Sequence, residues 1–409
     1  MIDASPRQLG FDPWDLEFIA NPYPVYAELR GRAPILYEES TDHWLVPRYA
    51  DVNALLRDRR LGRTYHHVAT DDEMGRPRTP DWHAPFWHLI RSGILDMEPP
   101  DHTRVRRLVS KAFTPKMVES LRPRIQRIMD GLVDEVVRVG GAEIDLITTI
   151  AEPLPVEVIA ELLGVPGGDR HLLRPWSADI CLMYELNPPE EYAHRAVDAC
   201  VRFGDYLRDL SRERRRRPQE DLISALSQVL DEGERLTEDE LIGTCVLLLN
   251  AGHEATVNVT GNGWWALFRN PAQLDLLRGR PKLIPRAIEE LMRFDTPLQM
   301  FERWVLEDAE IGGVRVKTGS ELGLIFGSAN HDPDMFDRPD ELDLTRRDNP
   351  HLAFGAGIHF CLGAPLARVE LETSFRTVLQ RFPNIELVEE PRWKPNYIIR
   401  GLQELRVRP

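Results

Sequence analysis

A helix that is apolar on every side can exist only where other elements cover every side of it. The stretch that opens at Thr237 predicts such a helix. Thr237-Glu238-Asp239-Glu240 has the form of a capping box with acids in the first turn. The apolar pattern then runs through Trp265 and beyond, for more than ~25 residues. A segment like this demands a large domain wrapped around it. The chain has 409 residues, 42% of them apolar, and can supply one. Length alone suggests two or three domains of roughly 150 residues each. No linker of Gly, Ser and Pro, no repeat and no low-complexity segment divides the chain, so one domain over 1–409 is expected. In the middle of the helix stands Ala251-Gly252-His253-Glu254-Ala255-Thr256. A helical Gly costs roughly 1 kcal/mol against Ala, so Gly252 requires a reason.

The second constraint is Phe354 to Arg368, FGAGIHFCLGAPLAR, with glycines at 355, 357 and 363 around Cys361 and a helical run after it. Glycine serves where the backbone needs φ > 0 or a very close approach. A thiol at the mouth of a helix feels backbone N–H groups and the positive end of the dipole, and both favour the thiolate. A lone thiolate suits one axial position on a haem iron. A buried structural cysteine is the commoner fate of such a residue, so further evidence is needed. Cys181, Cys200 and Cys245 are scattered without pairs or zinc spacing, which argues for a reducing compartment. The first residues do not resemble a signal peptide. No apolar run approaches the ~20 residues of a membrane span, so a soluble, cytoplasmic protein is expected. A net charge of −15 makes nucleic acid or an anionic membrane an unexpected partner.

Elsewhere the pattern predicts a helix at 22–30, a hairpin of 35–37 with 44–47, and helices at 120–138 and 154–163. Residues 60–95 read as a long irregular loop, in which Trp82, Phe86 and Trp87 suit a pocket wall. Residues 170–209 read as helical, broken at Asn187-Pro188-Pro189, and Trp176 and Tyr184 suit a pocket roof or ordinary core. Asp101 opens a helix to Ala112 that sets His102 and Arg106 on one face. Glu290 and Arg293 share another. Residues 304–313 read as strand, turn and strand, and short strands near 385–388 and 397–399 close a small sheet. Eight basic residues against one acid between Arg104 and Arg127 form a local basic patch on an acidic chain.

Phe354, Gly355, Gly357, His359, Cys361, Gly363 and Ala367 together resemble the haem-binding loop of the cytochrome P-450 superfamily. The resemblance covers essentially the whole chain. It implies a mainly α fold with a minor β region, and haem b buried between the long central helix and the helix after the cysteine. It makes Cys361 the axial ligand. His102, Arg106, Arg303 and His359 become donors to the two haem carboxylates, with Phe354, Gly363 and Ala251 also against the haem. Ala251 and Gly252 become the small pair where the helix bulges to leave room for dioxygen. The family's acid and alcohol that deliver protons correspond to Glu254 and Ala255. Ala255 departs from the pattern, and Thr256, about 100° further round the helix, need not replace the missing alcohol. Glu290 and Arg293, with Arg346 in Phe336-x-x-Pro339-x-x-Leu342-x-x-x-Arg346, correspond to a buried network. Leu298, Met300 and Ile398 become pocket liners.

The implied reaction is insertion of one oxygen atom from dioxygen into a small or medium apolar substrate. Electrons come from a ferredoxin or flavodoxin with its NAD(P)H reductase, since no flavin or iron–sulfur module is encoded. Arg107 and Lys111 are the expected docking residues for that carrier. A peroxygenase or oxidative-coupling enzyme is the alternative that Ala255 favours, and a haem-binding sensor is the other. Aromatic residues at 82–87 and 176–184 lean the substrate toward an aromatic or terpenoid compound.

Overall fold

A computed structural model describes residues 5–409. The central helix is Glu238–Arg269, and its capping box is made in full: Thr237 accepts from the Glu240 N–H while Glu240 accepts from the Thr237 N–H. It is buried on nearly all sides, against helices Pro153–Leu163, Leu173–Cys181, Glu190–Arg216, Ile284–Phe294 and Ala364–Arg381. Trp264 stacks on Phe375 of the last of these, with ring centroids 5.1 Å apart. Gly243 allows backbone contact: a Cβ there would lie 2.7 Å from the Leu89 carbonyl oxygen. The apolar pattern therefore translates into the covering that it demanded.

A five-stranded sheet lies to one side. Its order is Leu36–Glu38, His43–Val46, Glu321–Leu324, Phe301–Val305 and Leu61–Gly62, antiparallel except between His43–Val46 and Glu321–Leu324. The predicted hairpin of 35–37 with 44–47 is the first of these pairings, with Leu36 opposite Leu45.

Three expectations about secondary structure need correction. Residues 84–91 form a helix, not an irregular loop. Pro85 sits in its first turn, where a missing N–H costs nothing, and Phe86, Leu89 and Ile90 form its buried face. The stretch 304–313 is not one hairpin. Phe301–Val305 pairs with Glu321–Leu324, whereas Ala309–Ile311 pairs with Val314–Val316. Gly312 and Gly313, at φ +56° and +79°, make the two-residue turn that joins this second pair. Residues 397–399 contribute only a bridge between Leu298 and Ile399. No helix among the described residues is long and apolar enough to cross a membrane.

Candidate functional site

A cavity of about 300 Å³ lies between the central helix and the cysteine loop. Cys361, Phe354, His359 and Gly363 form one wall, and Ala251, Gly252, Glu254, Ala255 and Thr256 form another. Leu298, Met300 and Ile398 line it, as expected, and so does Arg106. Residues more than 100 positions apart thus meet in one space.

The cysteine loop is built from its glycines. Gly355 and Gly357 have φ of +66° and +70°, and a Cβ on Gly357 would lie 2.3 Å from the Leu56 carbonyl oxygen. Only glycine fits that approach. The Cys361 N–H donates to the Phe354 carbonyl at 2.9 Å, which closes the loop. Burial pushes the Cys361 thiol up. The N–H groups of Gly363 and Ala364, then Arg106 and Arg368, pull it back only in part. The helix mouth therefore does not by itself yield a thiolate, and a cationic metal centre would complete the balance. Arg106 Nη2 donates to the Phe360 carbonyl at 2.6 Å, so one of its donors steadies the loop itself.

Donors without acceptors collect at one edge. His102 Nε2 and Arg303 Nη2 are buried and unpartnered. His359 Nε2 lies 3.4 Å from Glu98 but makes no well-formed hydrogen bond. The His102 and His359 rings are 4.5 Å apart. Burial, then His359 and Arg106, push His102 down to about 4. Burial, then Arg63, push Arg303 down to about 9. A buried arginine with a free donor and no matched anion suits a ligand that brings carboxylates. The residues present therefore fit haem, whose two carboxylates supply the missing acceptors.

The supporting network is complete. Arg293 holds Glu290 through two bonds of 2.9 and 2.8 Å, and Arg346 Nε reaches Glu290 Oε2 at 3.0 Å. Glu290 and Arg293 are fully buried. A second pair escaped sequence reading: Arg368 grips Glu289 at 2.7 and 2.8 Å and covers the Phe354 ring. Burial pushes Glu289 up, but hydrogen bonds from Arg368 and His351 bring it down to about 2.

On the central helix the expected bulge is absent: residues 251–256 continue the α-helix without interruption. Gly252 instead makes room for Ile159, whose Cδ1 would lie 3.0 Å from a Cβ. Glu254 is not an isolated acid. Lys394 Nζ lies 3.2 Å from it. Burial pushes its carboxyl up, yet Lys394 and His253 outweigh burial and hold it below its ordinary value.

Other expectations fail. Trp82 stacks on His194, and Trp87 packs against Phe86 and Arg91, so neither lines the cavity. For Trp176, the core-packing alternative is the one realised: it stacks on Phe203. Their rings pack on protein, and of the aromatic residues that carried the lean only Tyr184 is left at the cavity. Tyr184 does reach the cavity, whose walls are otherwise mostly apolar, aliphatic at Ile94, Leu162 and Leu247 and aromatic at Phe113, Phe301 and Phe326. Arg107 is bound to Asp231, Glu232 and Glu234, and Lys111 to Asp231. These two residues of the basic patch are thus neutralised by acids about 125 residues further along the chain, which weakens them as a docking surface.

Sequence reading also missed Glu370, in the helix after the cysteine. It lines the cavity, and its Oε2 has no partner. Burial alone pushes it up to about 8. Its protonated form therefore stabilises the fold fully below about pH 4.5, and that contribution fades as pH rises through about 8. Glu370→Gln keeps the shape and removes the titration. Relative to wild type, the haem-loaded variant should gain about 1.4 kcal/mol per pH unit between roughly pH 5 and 8 in chemical unfolding. A difference that does not change with pH would show that Glu370 has a partner.

A half-buried thiol at a helix mouth, a wall of small residues across the cavity and a cationic edge, set on a mainly helical frame, define a cysteine-ligated haem protein. The chain belongs to the cytochrome P450 family: the family model described as Cytochrome P450 matches residues 66–280 and 278–397. Polyketide biosynthesis cytochrome P450 PksS of Bacillus subtilis is 37% identical over 98% of this chain and 99% of that protein. Cytochrome P450 monooxygenase PikC of Streptomyces venezuelae is 38% identical over 99% of this chain and 95% of that protein. The crystal structure of P450BioI with an acyl carrier protein bearing hexadec-9Z-enoic acid superposes with a TM-score of 0.89 at 37% identity, covering 96% of this chain and 99% of that one. The protein is accordingly an oxidoreductase of the cytochrome P450 monooxygenase type. Its family holds haem through a cysteine thiolate and works with redox partners on small molecules.

Proposed function

We propose that residues 1–409 form one monooxygenase domain that holds haem b through Cys361. It inserts one atom of dioxygen into a small or medium apolar organic molecule. The observation that carries this is the cavity itself, with Cys361 on one side, Ala251, Gly252 and Ala255 on another, and apolar walls between. When bound, the haem supplies dioxygen activation and oxygen-atom transfer, and the thiolate's electron donation favours O–O cleavage. The balance requires two electrons and two protons, which turn the second oxygen atom into water. The family works with redox partners, and the electrons are assigned to a ferredoxin or flavodoxin with its NAD(P)H reductase.

The chain's own residues have separate tasks. His102, His359 and Arg303 hold the haem carboxylates, and Arg106 steadies the loop that carries the thiolate. Apolar side chains exclude bulk water and orient an apolar substrate. Thr244 and Asn250 offer the cavity unpartnered polar atoms that can fix one polar group of that substrate. Protons are the open economy of this site. Ala255 has no hydroxyl, and Glu254 is held ionised by Lys394. Water and the substrate's own hydroxyl, with Thr256 one position on, are the remaining carriers.

Ligand titration of the ferric, haem-loaded protein tests the substrate class. Apolar compounds of small or medium size should shift the Soret band to high spin, and the tightest binder should be oxygenated with surrogate ferredoxin and reductase. No shift from any aromatic, terpene, fatty acid or macrolide would defeat the proposed class. The missing hydroxyl favours one further reading, a peroxide-driven enzyme. Ala255→Thr separates the two. In a dioxygen-using enzyme it should raise product per electron consumed by about twofold or more and lower peroxide release, within the range of general acid–base effects. If turnover runs on added peroxide alone and Ala255→Thr changes neither quantity, the peroxygenase reading stands.

A further inference from the structure

Three neighbouring strands of the five-stranded sheet bring His43, Glu302 and Glu321 together on one face. His43 pairs with Glu321 in the parallel ladder, and Glu321 pairs with Trp304, two residues from Glu302 and on its side of the strand. His43 is 5% exposed. Its Nδ1 lies 2.5 Å from the Thr41 carbonyl oxygen, which can only accept, so Nδ1 carries the proton. Nε2 is left buried without a partner, aimed between two carboxylates. Glu321 Oε2 is 3.7 Å from it and Glu302 Oε1 is 4.0 Å. These gaps are too long for hydrogen bonds. The other oxygen of Glu302 accepts from Arg63 at 3.0 Å, so Oε1 is turned to the histidine by an existing contact.

We propose that His43 Nε2, Glu302 Oε1 and Glu321 Oε2 form a site for a borderline divalent cation, with zinc(II) the first candidate. The three atoms lie within 4.8 Å of one another. Ligand atoms that share one ion at ~2.1 Å each stand roughly 3–4 Å apart, so small side-chain rotations close the site. One nitrogen with two carboxylate oxygens suits zinc(II) or a similar ion more than magnesium or calcium, which prefer all-oxygen shells. A histidine that donates its second N–H to a backbone carbonyl has the orientation that metal-ligating histidines adopt. Arg63 approaches the outer oxygen of Glu302, Oε2, at 3.0 Å and steadies that carboxylate, while Arg76 Nη2 lies 3.9 Å from Glu321 Oε2 itself. An ion here ties together three strands, and the last of them carries Arg303 next to Glu302. It would hold in register the strand that supports the cationic edge of the cavity.

The test uses haem-loaded protein dialysed against EDTA and then equilibrated with zinc chloride. Wild type should take up one zinc(II) per chain and melt at a higher temperature with the metal present. His43→Gln and Glu321→Gln, each checked for an unchanged Soret spectrum, should bind that zinc at least about tenfold more weakly and lose the thermal shift. Two variants are used so that a failure of one to load haem leaves the other readable. No uptake by wild type below about 100 µM zinc would overturn the proposal and leave a buried neutral imidazole beside two carboxylates as the account. Equal uptake by wild type and both variants would overturn it too, since surface groups would then hold the metal.

Discussion

Cys361→Ser should leave a folded chain with the thiolate signature gone and oxygen transfer reduced by about three orders of magnitude or more. The substitution is close to isosteric, so packing of the loop is preserved, but a hydroxyl neither ionises here nor donates electron density as a thiolate does. The other cysteines at 181, 200 and 245 are buried and do not border the cavity, so none can stand in. The carbon monoxide difference spectrum of the reduced protein and product formation with surrogate partners are the two readouts. An unaltered spectrum would remove Cys361 from the axial position.

The second large effect is expected at Glu290. In the native structure this carboxylate faces Arg293 and Arg346, accepts from the Asp343 N–H at 3.1 Å, and is reached by Asn349 at 3.2 Å. Glu290→Ala leaves a fully buried guanidinium without its counter-ion and a second one, at Arg346, only 8% exposed. Breaking a buried pair from one side costs about 3–5 kcal/mol. A domain has roughly 5–15 kcal/mol in all. The variant should therefore yield little haem-loaded protein and unfold at markedly lower denaturant. Glu290→Gln, which keeps one acceptor and the shape, should recover part of the loss. Normal haem loading in Glu290→Ala would show that the network is dispensable.

What could be read beforehand was local. The capping box at Thr237 and the glycines around Cys361 are short-range signals, since a cap spans one turn and a positive φ belongs to one residue. The Glu290–Arg293 spacing belongs to the same class, because three residues on a helix bring two side chains together whatever surrounds them. Trp82, Trp87 and Trp176 show the opposite. Their size announced burial, but each is only half-buried, and a tryptophan packs equally well against a helix or a ligand. The surroundings of Glu254 and of the Arg107–Lys111 patch were hidden for another reason. Their partners, Lys394 and the acids at 231–234, come from distant parts of the chain. Charge in a sequence carries no record of what will neutralise it.

Composition and spacing by themselves determined that this chain buries one long helix and presents one cysteine at a glycine-shaped helix mouth; the resemblance to the family added the departure at Ala255. Those features depend on backbone conformation and on residues within a few turns of each other. Tertiary structure alone decided which strands pair, that Glu370 is buried with no counter-charge, and that His43 points between two glutamates from two other strands. Such facts depend on which surfaces pack, and packing is chosen by the fold of the whole chain against water rather than by any neighbouring stretch.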